Sequence, residues 1–302
     1  MRLSSLTMRL MGEQSMSSRQ LEQMTAQQQL SSGRRILTPS DDPVAAARAL
    51  NVQNSKVRED QFSENSKGAA DTLRILESQL TSVSNSLSNL QDLAVQAGNG
   101  ALSDANLKQL ATAVEGRFRE ILGLANSQGA DGQYLFSGYQ GQTQPFLETA
   151  STTAVGTVSY QGDQGIRQAQ ISESRVLQTS ETGDQVFGNM FSTLKTLHDA
   201  LINGKTSPTY QADLQTALTG LKTAQDQVTV KISAVGTRQN EIDAAIQTHG
   251  DLSLQYETEH SNLVDVDYAA SISKYMQAQQ LLEVSRTTFK QTQGLSLFNY
   301  LS

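Results

Sequence analysis

The residues able to do chemistry are few. His198, His249 and His260 are the only histidines, and the chain has no cysteine. Without thiols there can be no disulfide, no thiolate metal ligand and no cysteine nucleophile. A histidine could serve as a general base or a metal ligand. None of the three stands in a His-Glu-x-x-His run, and the chain has no P-loop, Gly-x-Ser-x-Gly or dinucleotide fingerprint. His249 falls on a heptad position, which favours a satisfied seam histidine over a ligand. Asp265 and Asp267 form a carboxylate pair that acid–base chemistry could use. They also stand just before a helical stripe, where carboxylates cap open amides, and that role suits them better. Asp131-Gly132 lacks the oxygen ligands of an EF-hand. Gly98-Asn99-Gly100 could cradle a phosphate but reads more simply as a turn between helices. The sequence thus predicts no catalytic residue, no cofactor and no metal. An enzyme is the weakest class, because no group of titratable residues stands out.

What the chain does carry is periodicity. Leu73, Leu76, Leu80, Val83, Leu87, Leu90, Ala94 and Ala97 are spaced by alternating steps of three and four, the seam of a left-handed coiled coil. Between Ser78 and Gln91 there is no charge. A free surface helix normally carries Glu and Lys pairs on its outer face. A neutral, amide-rich back therefore predicts a helix packed among other protein. Asp42 can cap the start and Pro43 suits the first helical position, so one helix of about 50 residues is expected from there to Gly98. Ser103 opens a second helix with the stripe Leu107, Leu110, Val114, Phe118, Ile121 and Leu124.

The period then changes. Tyr134 to Phe136, Thr153 to Tyr160 and Ile166 to Ile171 read as strands, with Gln161 to Gly165 as a hairpin turn. Helical spacing returns at Gly188. A second long seam runs through Leu214, Leu218, Leu221, Gln225, Val228, Ile232, Val235, Gln239, Ile242, Ile246 and His249. Two long seams around a β insert predict an antiparallel return. The fold class is mainly α: a long antiparallel helical bundle or coiled coil formed by the N- and C-terminal halves, with a small β-rich insert. The expected domains are 1–40 with 256–302, a terminal coiled coil; 41–132 with 188–255, a helical rod; and 133–187, β-rich.

The ends are amphipathic. Leu3, Leu6, Leu10, Leu21 and Met24 form one stripe, interrupted at Gln14 and Ser17. Tyr268, Ile272, Tyr275, Gln279, Leu282, Arg286 and Phe289 form the other, and Gly294 is expected to break that helix before an apolar tail. Both ends have weak local support for helix. They are expected to be mobile in the free monomer and to fold against neighbouring subunits.

Composition narrows the partners. Aromatics make up 5% of the 302 residues, Trp is absent, and there are only four prolines. The net charge of −7 speaks against nucleic acid. No stretch approaches the roughly 18 apolar residues of a membrane span, and no Sec-type signal is evident.

Leu30-Ser31-Ser32-Gly33-Arg34-Arg35-Ile36 with Ser40-Asp41-Asp42-Pro43-Val44-Ala45 resembles the N-terminal block of bacterial flagellins and their relatives. Several further runs resemble the hook–filament junction family, the third hook-associated proteins of the flagellin superfamily. These are Ala97 to Gly100 with Leu102 to Asp104, Gly132 to Gly138 with Gln144 to Phe146, Asn262 to Asp267, and Gly294 to Phe298. The resemblance implies a non-enzymatic subunit of the bacterial flagellum that joins the hook side to the flagellin filament. It also implies export without signal cleavage to the cell exterior. The implied partners are neighbouring copies in a ring, the adjacent hook-associated junction protein, flagellin, and an export chaperone at the C-terminal region. Neither nucleic acid nor membrane is expected. Carried onto this chain, the family's inner-tube contacts fall on Leu3, Leu6, Leu10, Ile272, Tyr275, Leu282, Phe289, Leu297 and Phe298. The alternatives are a flagellin that polymerises itself and a signalling coiled coil, which would need an anchor.

Overall fold

A computed structural model describes residues 5–149 and 154–298. Leu3, and the side chains of Leu6, Leu297 and Phe298, lie outside what it describes. The elements in order are α1 (Ser5–Ser32), α2 (Pro43–Ala97), α3 (Asp104–Ala125), β1 (Phe146–Glu148), β2 (Val158–Tyr160), β3 (Gln168–Gln170), β4 (Val176–Gln178), α4 (Gly183–Phe187), α5 (Met190–Asn203), α6 (Tyr210–Val264) and α7 (Tyr268–Phe298). They form two compact units, a terminal one of 1–58 with 251–302 and a central one of 59–250.

The long helices start and stop on local signals. The Ala45 amide donates to Asp42 Oδ1 at 3.0 Å, so Asp42 caps α2. The Asn106 amide donates to Ser103 Oγ at 3.3 Å, which caps α3. In the central unit all eight seam positions from Leu73 to Ala97 are buried. The return is antiparallel, because positions falling along α2 pair with positions rising along α6. Tyr210 Oη donates to the Ala97 carbonyl at 2.8 Å, Gln225 Nε2 to Ser84 Oγ at 2.7 Å, and Gln239 Nε2 to Glu77 Oε2 at 2.9 Å. Polar rungs inside a coiled coil tolerate only the register in which each finds its partner.

On α6 the structure shifts half of the expected seam. Leu214, Leu221, Val228, Val235, Ile242 and His249 are buried, whereas Leu218, Gln225, Ile232, Gln239 and Ile246 are only partly so. Ala217 and Ala224 are buried in their place. The neighbouring face explains this. A Cβ on Gly220 would lie 2.6 Å from Thr193 Oγ1 of α5, so this small-residue face admits α5 close to α6.

The β segment differs most from expectation. Tyr134 to Phe136 is no strand: Tyr134 forms an isolated bridge to Gln128, and turns follow. The run is apolar because Leu135 and Phe136 are buried, and burial does not require a ladder. Gln161 to Gly165 is not a hairpin turn, because β2 pairs with β1 and β3 with β4, both antiparallel. That stretch links two separate two-stranded sheets. Such pairs are marginal alone, and here they share one core with the helices. Phe146 on β1 meets Phe187 at 5.1 Å and Phe191 of α5 at 5.2 Å between ring centroids, and Phe191 meets Phe118 of α3 at 5.7 Å. Glu181, 1% exposed, accepts from Lys231 Nζ at 2.6 Å and Arg238 Nη1 at 2.8 Å, both on α6.

Gly294 does not end α7, which runs through it to Phe298. Glycine in a helix interior costs about 1 kcal/mol relative to alanine, which by itself does not terminate a helix.

Candidate assembly interface

The terminal unit pairs α1 with α7. The inward column of α1 is Gly12, Met16, Arg19, Gln23, Ala26 and Leu30, and that of α7 is Ser271, Tyr275, Ala278, Leu282, Ser285 and Phe289. Both columns step by four and three. Relative to the expected α7 stripe, Tyr275, Leu282 and Phe289 keep their places. Ser271, Ala278 and Ser285 face inward where Ile272, Gln279 and Arg286 were expected. Small residues in that column allow close approach. A Cβ on Gly12 would lie 2.7 Å from Cδ2 of Phe289, and one on Gly33 would lie 3.0 Å from Tyr268 Oη, so the pair runs antiparallel. Gly12→Val is expected to push the Phe289 ring aside and weaken the pair by about 1–3 kcal/mol. Tryptic cleavage at Arg19 of the native chain should become faster, and an unchanged rate would count against the close packing.

The consequence lies on the outside. Small side chains turned inward leave large apolar ones facing out. Leu10 is 54% exposed and Ile272 48%, and Met11, Leu21, Met24, Tyr268, Met276 and Val284 are exposed with them. Val44 and Leu50 on α2 add to the apolar surface of this unit. Most of the exposed large hydrophobics among the described residues belong to the terminal unit, although it is the smaller one. Apolar surface concentrated in this way marks an interaction face. Of the expected interface residues, Leu10 and Ile272 are on the exposed face, Tyr275 and Phe289 are half-buried in the seam, and Leu282 is buried there. Met276 and Val284 join the outer face unanticipated. The i, i+4 spacing of Ile272 and Met276 is the signal that could have shown them.

Between α1 and α2, and again between α6 and α7, the chain turns, and the two turns are stitched together. Arg34 and Asp265 form an isolated antiparallel bridge. The Arg35 amide donates to the Val264 carbonyl at 2.7 Å, the Val266 amide to the Gly33 carbonyl at 2.9 Å, and Arg35 Nη2 to the Leu263 carbonyl at 2.6 Å. Gly33 has φ of 70°, which a side chain would strain. Asp41 accepts from the Thr38 and Leu37 amides at 2.8 and 2.9 Å. These donors, Thr38 first, hold its carboxyl below the usual range. Asp42 is held low by the Ala45 amide first and then by Arg35, whose Nη1 is 3.2 Å from Oδ2. Asp267 caps α7, accepting from the Ala270 amide at 3.1 Å, and Asp265 accepts from Ser261 Oγ. The carboxylate pair is therefore spent on the turn.

This clasp has a pH sign. Folding lowers the pKa of Asp41 and of Asp42 from the ordinary value of 3.8. Their contribution is complete above that value and is lost as pH falls through the folded values. Acidification below about pH 4 is expected to open the turn, read as faster amide exchange at Thr38 and Ala45 after correction for intrinsic rates. Asp41→Asn/Asp42→Asn should remove the acid step. Persistence of the step in that variant would assign it elsewhere.

Among the described residues no group of three or more His, Cys, Asp or Glu could hold a metal ion, and no helix is long and apolar enough to cross a membrane. His198 is buried with Nδ1 3.3 Å from Asp199 Oδ1.

Comparison with known proteins supplies the family. The bacterial flagellin N-terminal helical region matches residues 3–141, and the bacterial flagellin C-terminal helical region matches 218–301. Flagellar hook-associated protein 3 of Escherichia coli K12 is 32% identical, over 99% of this chain and 99% of its own length. The chain belongs to the flagellar hook-associated protein 3 family. The protein of the same name from Salmonella typhimurium is 31% identical over 97% of this chain and 98% of its own. Listeria monocytogenes flagellin is 38% identical but matches only 28% of this chain. A flagellar hook-associated protein from Vibrio parahaemolyticus has the same fold, with a TM-score of 0.69 at 23% identity, covering 74% of this chain and 100% of its own. The flagellar junction protein of Legionella pneumophila superposes with a TM-score of 0.61 at 20% identity, covering 72% of this chain and 100% of its own. Both halves of the clasp, Leu30 to Ala45 and Asn262 to Asp267, fall inside the two flagellin-type regions. In this family member the joined turns thus belong to the superfamily's common helical parts.

Proposed function

We propose that this chain is the structural subunit that joins the hook side of the flagellar axial structure to the flagellin filament, with no catalytic role. The near full-length identity to proteins named flagellar hook-associated protein 3 carries this reading. A flagellin that builds the filament itself is disfavoured, because the flagellin relative matches only part of the chain. Copies of the chain assemble in a ring through the terminal segments, with Leu3, Leu6, Leu10, Ile272, Leu297 and Phe298 in contact with neighbours. Tyr275, Leu282 and Phe289 set the α1–α7 geometry that presents them. The remaining partners are the adjacent hook-associated junction protein, flagellin, and an export chaperone at the C-terminal region. The site of action is the cell exterior, reached without cleavage of a signal peptide. Residues 1–40 with 256–302 form the inner part, and 133–187 the outer part.

A strain lacking the protein should make hooks without filaments and lose flagellin to the medium. Complementation with Leu10→Ser/Ile272→Ser should fail to restore filaments while the purified chain keeps its urea midpoint, because both side chains are already exposed in the single chain. Restored filaments in that strain would remove these residues from the interface. Long filaments grown from the purified chain alone would support the flagellin reading instead.

A further inference from the structure

Asn99-Gly100 and Asn203-Gly204 are the two Asn-Gly pairs of the chain. The side-chain amide of an asparagine can be attacked by the main-chain nitrogen of the next residue. Glycine, with no Cβ in the way, permits the closest approach. Here the nitrogen of the glycine would bond to Cγ of the asparagine and give up its proton. Nδ2 leaves with a proton as ammonia, and a cyclic imide results. Water then opens the imide at one carbonyl or the other, giving aspartate or isoaspartate. No oxidant, metal or cofactor enters the balance.

The structure treats the two pairs differently. Asn203 is the last residue of α5, and the Gly204 amide is committed to the Ala200 carbonyl at 3.0 Å. Gly204 is buried, and a Cβ there would lie 2.8 Å from Asp104 Oδ1. Asn99 and Gly100 are exposed in the turn between α2 and α3. Among the described hydrogen bonds the Gly100 amide donates none, and a Cβ there would meet nothing within 4 Å. The nitrogen at Gly100 is therefore unengaged and has room, whereas the one at Gly204 has neither freedom.

Two further groups stand where charge develops. The Ala101 amide donates to Asn99 Oδ1 at 3.0 Å, the oxygen that gains negative charge as the nitrogen adds to Cγ. Lys205 Nζ donates to the Asn99 carbonyl at 3.1 Å, and to those of Gly100 and Leu102 at 2.8 and 2.6 Å. The Asn99 carbonyl and the Gly100 nitrogen belong to one peptide unit, across which charge is shared. An ammonium group on that oxygen stabilises the charge left when the nitrogen loses its proton. We propose that Asn99 is a site of spontaneous deamidation, with the Gly100 nitrogen as nucleophile and Lys205 and the Ala101 amide as its activating groups. The product carries a new carboxylate. In the isoaspartate form the main chain is longer by one carbon between two carbonyls that Lys205 holds, so the lysine cannot keep both.

Incubation of the full chain in mildly alkaline buffer, followed by peptide mass mapping, reads each site by the mass gained when ammonia is exchanged for water. Asn99 is expected to convert at least about tenfold faster than Asn203, the effect of the amide hydrogen bond that Gly204 must first break. Unfolded in guanidinium, the two sites should convert at similar rates. Lys205→Met should slow conversion at Asn99 by about fivefold, the effect of one unit charge at about 4 Å in water. Equal rates at the two sites of the folded chain overturn the proposal, and so does an unchanged rate at Asn99 in Lys205→Met. Should that variant fail to fold, the native sequence decides alone: conversion of Asn99 that is slower in the folded chain than in guanidinium overturns it.

Discussion

Leu87→Asp is expected to lower the stability of the central unit by about 3 kcal/mol or more, the combined effect of a lost core leucine and a buried carboxylate with no cation to meet it. Leu87 is fully buried in the middle of the α2 seam, with Val83 and Leu90 one turn to either side. No charge stands between Ser78 and Gln91 to compensate from its own helix. A heptad seam alone would place Ser86 outside the core, and Ser86→Asp would then be mild. The structure makes it a second damaging site, because Ser86 is only 2% exposed. Burial on α2 extends past the two seam columns to a flank that includes Ile75, Ser86 and Leu93. The proper control is Asn85, which is exposed. Asn85→Asp should change stability by no more than about 0.5 kcal/mol. Urea melts followed by helical circular dichroism compare the three variants. Equal midpoints for Leu87→Asp and Asn85→Asp would refute the register.

The same pair of residues shows what the sequence can and cannot reveal. Period and punctuation are local properties, so α2 is legible from Pro43 to Ala97 and Ser103 is legible as a cap. How many neighbours a helix has is not local. The absence of charge on α2 signals company correctly at Ser86, yet leaves Asn85, Ser88 and Asn89 exposed within the single chain. In α7 the reading by size fails for a related reason. Looking for large apolar residues selects Ile272, but the column that faces α1 alternates Tyr275 and Leu282 with Ser271 and Ala278. Close approach favours the small side chains, and Gly12, which makes room for the Phe289 ring, is at the other end of the chain. The candidate interface is therefore legible as apolar, but not in its direction. Glu181 gives no sequence signal, because its cations, Lys231 and Arg238, stand 50 and 57 residues further on. The apolar run at Leu135 and Phe136 reports burial correctly and strand wrongly, since both kinds of backbone can bury such a run.

Phe146→Ala is the variant that tests whether the β segment stands apart from the helices. By sequence it belongs to an insert, and an insert replaced by a short linker should leave the helices intact. By structure its ring touches Tyr160 on β2 at 5.2 Å, Phe187 at 5.1 Å and Phe191 on α5 at 5.2 Å. Asn126, at the end of α3, holds the same residue by its backbone, donating from Nδ2 to the carbonyl at 2.9 Å and accepting the amide at 2.9 Å. The cavity left by the ring would therefore open between sheet and helices at once. Removing a buried phenylalanine costs about 3–5 kcal/mol. Because the loss falls on a shared core, the helical signal and the tyrosine fluorescence, to which Tyr134, Tyr139 and Tyr160 of the β segment contribute, should shift together to lower urea, in one transition. Two separated transitions, with the helical one at its original midpoint, would show that the β segment melts alone. A linker replacing 133–187 would then be tolerated as well. The contact of Phe146 with Phe191, and of Phe191 with Phe118, argues for the single transition, since it places one aromatic chain across β1, α5 and α3.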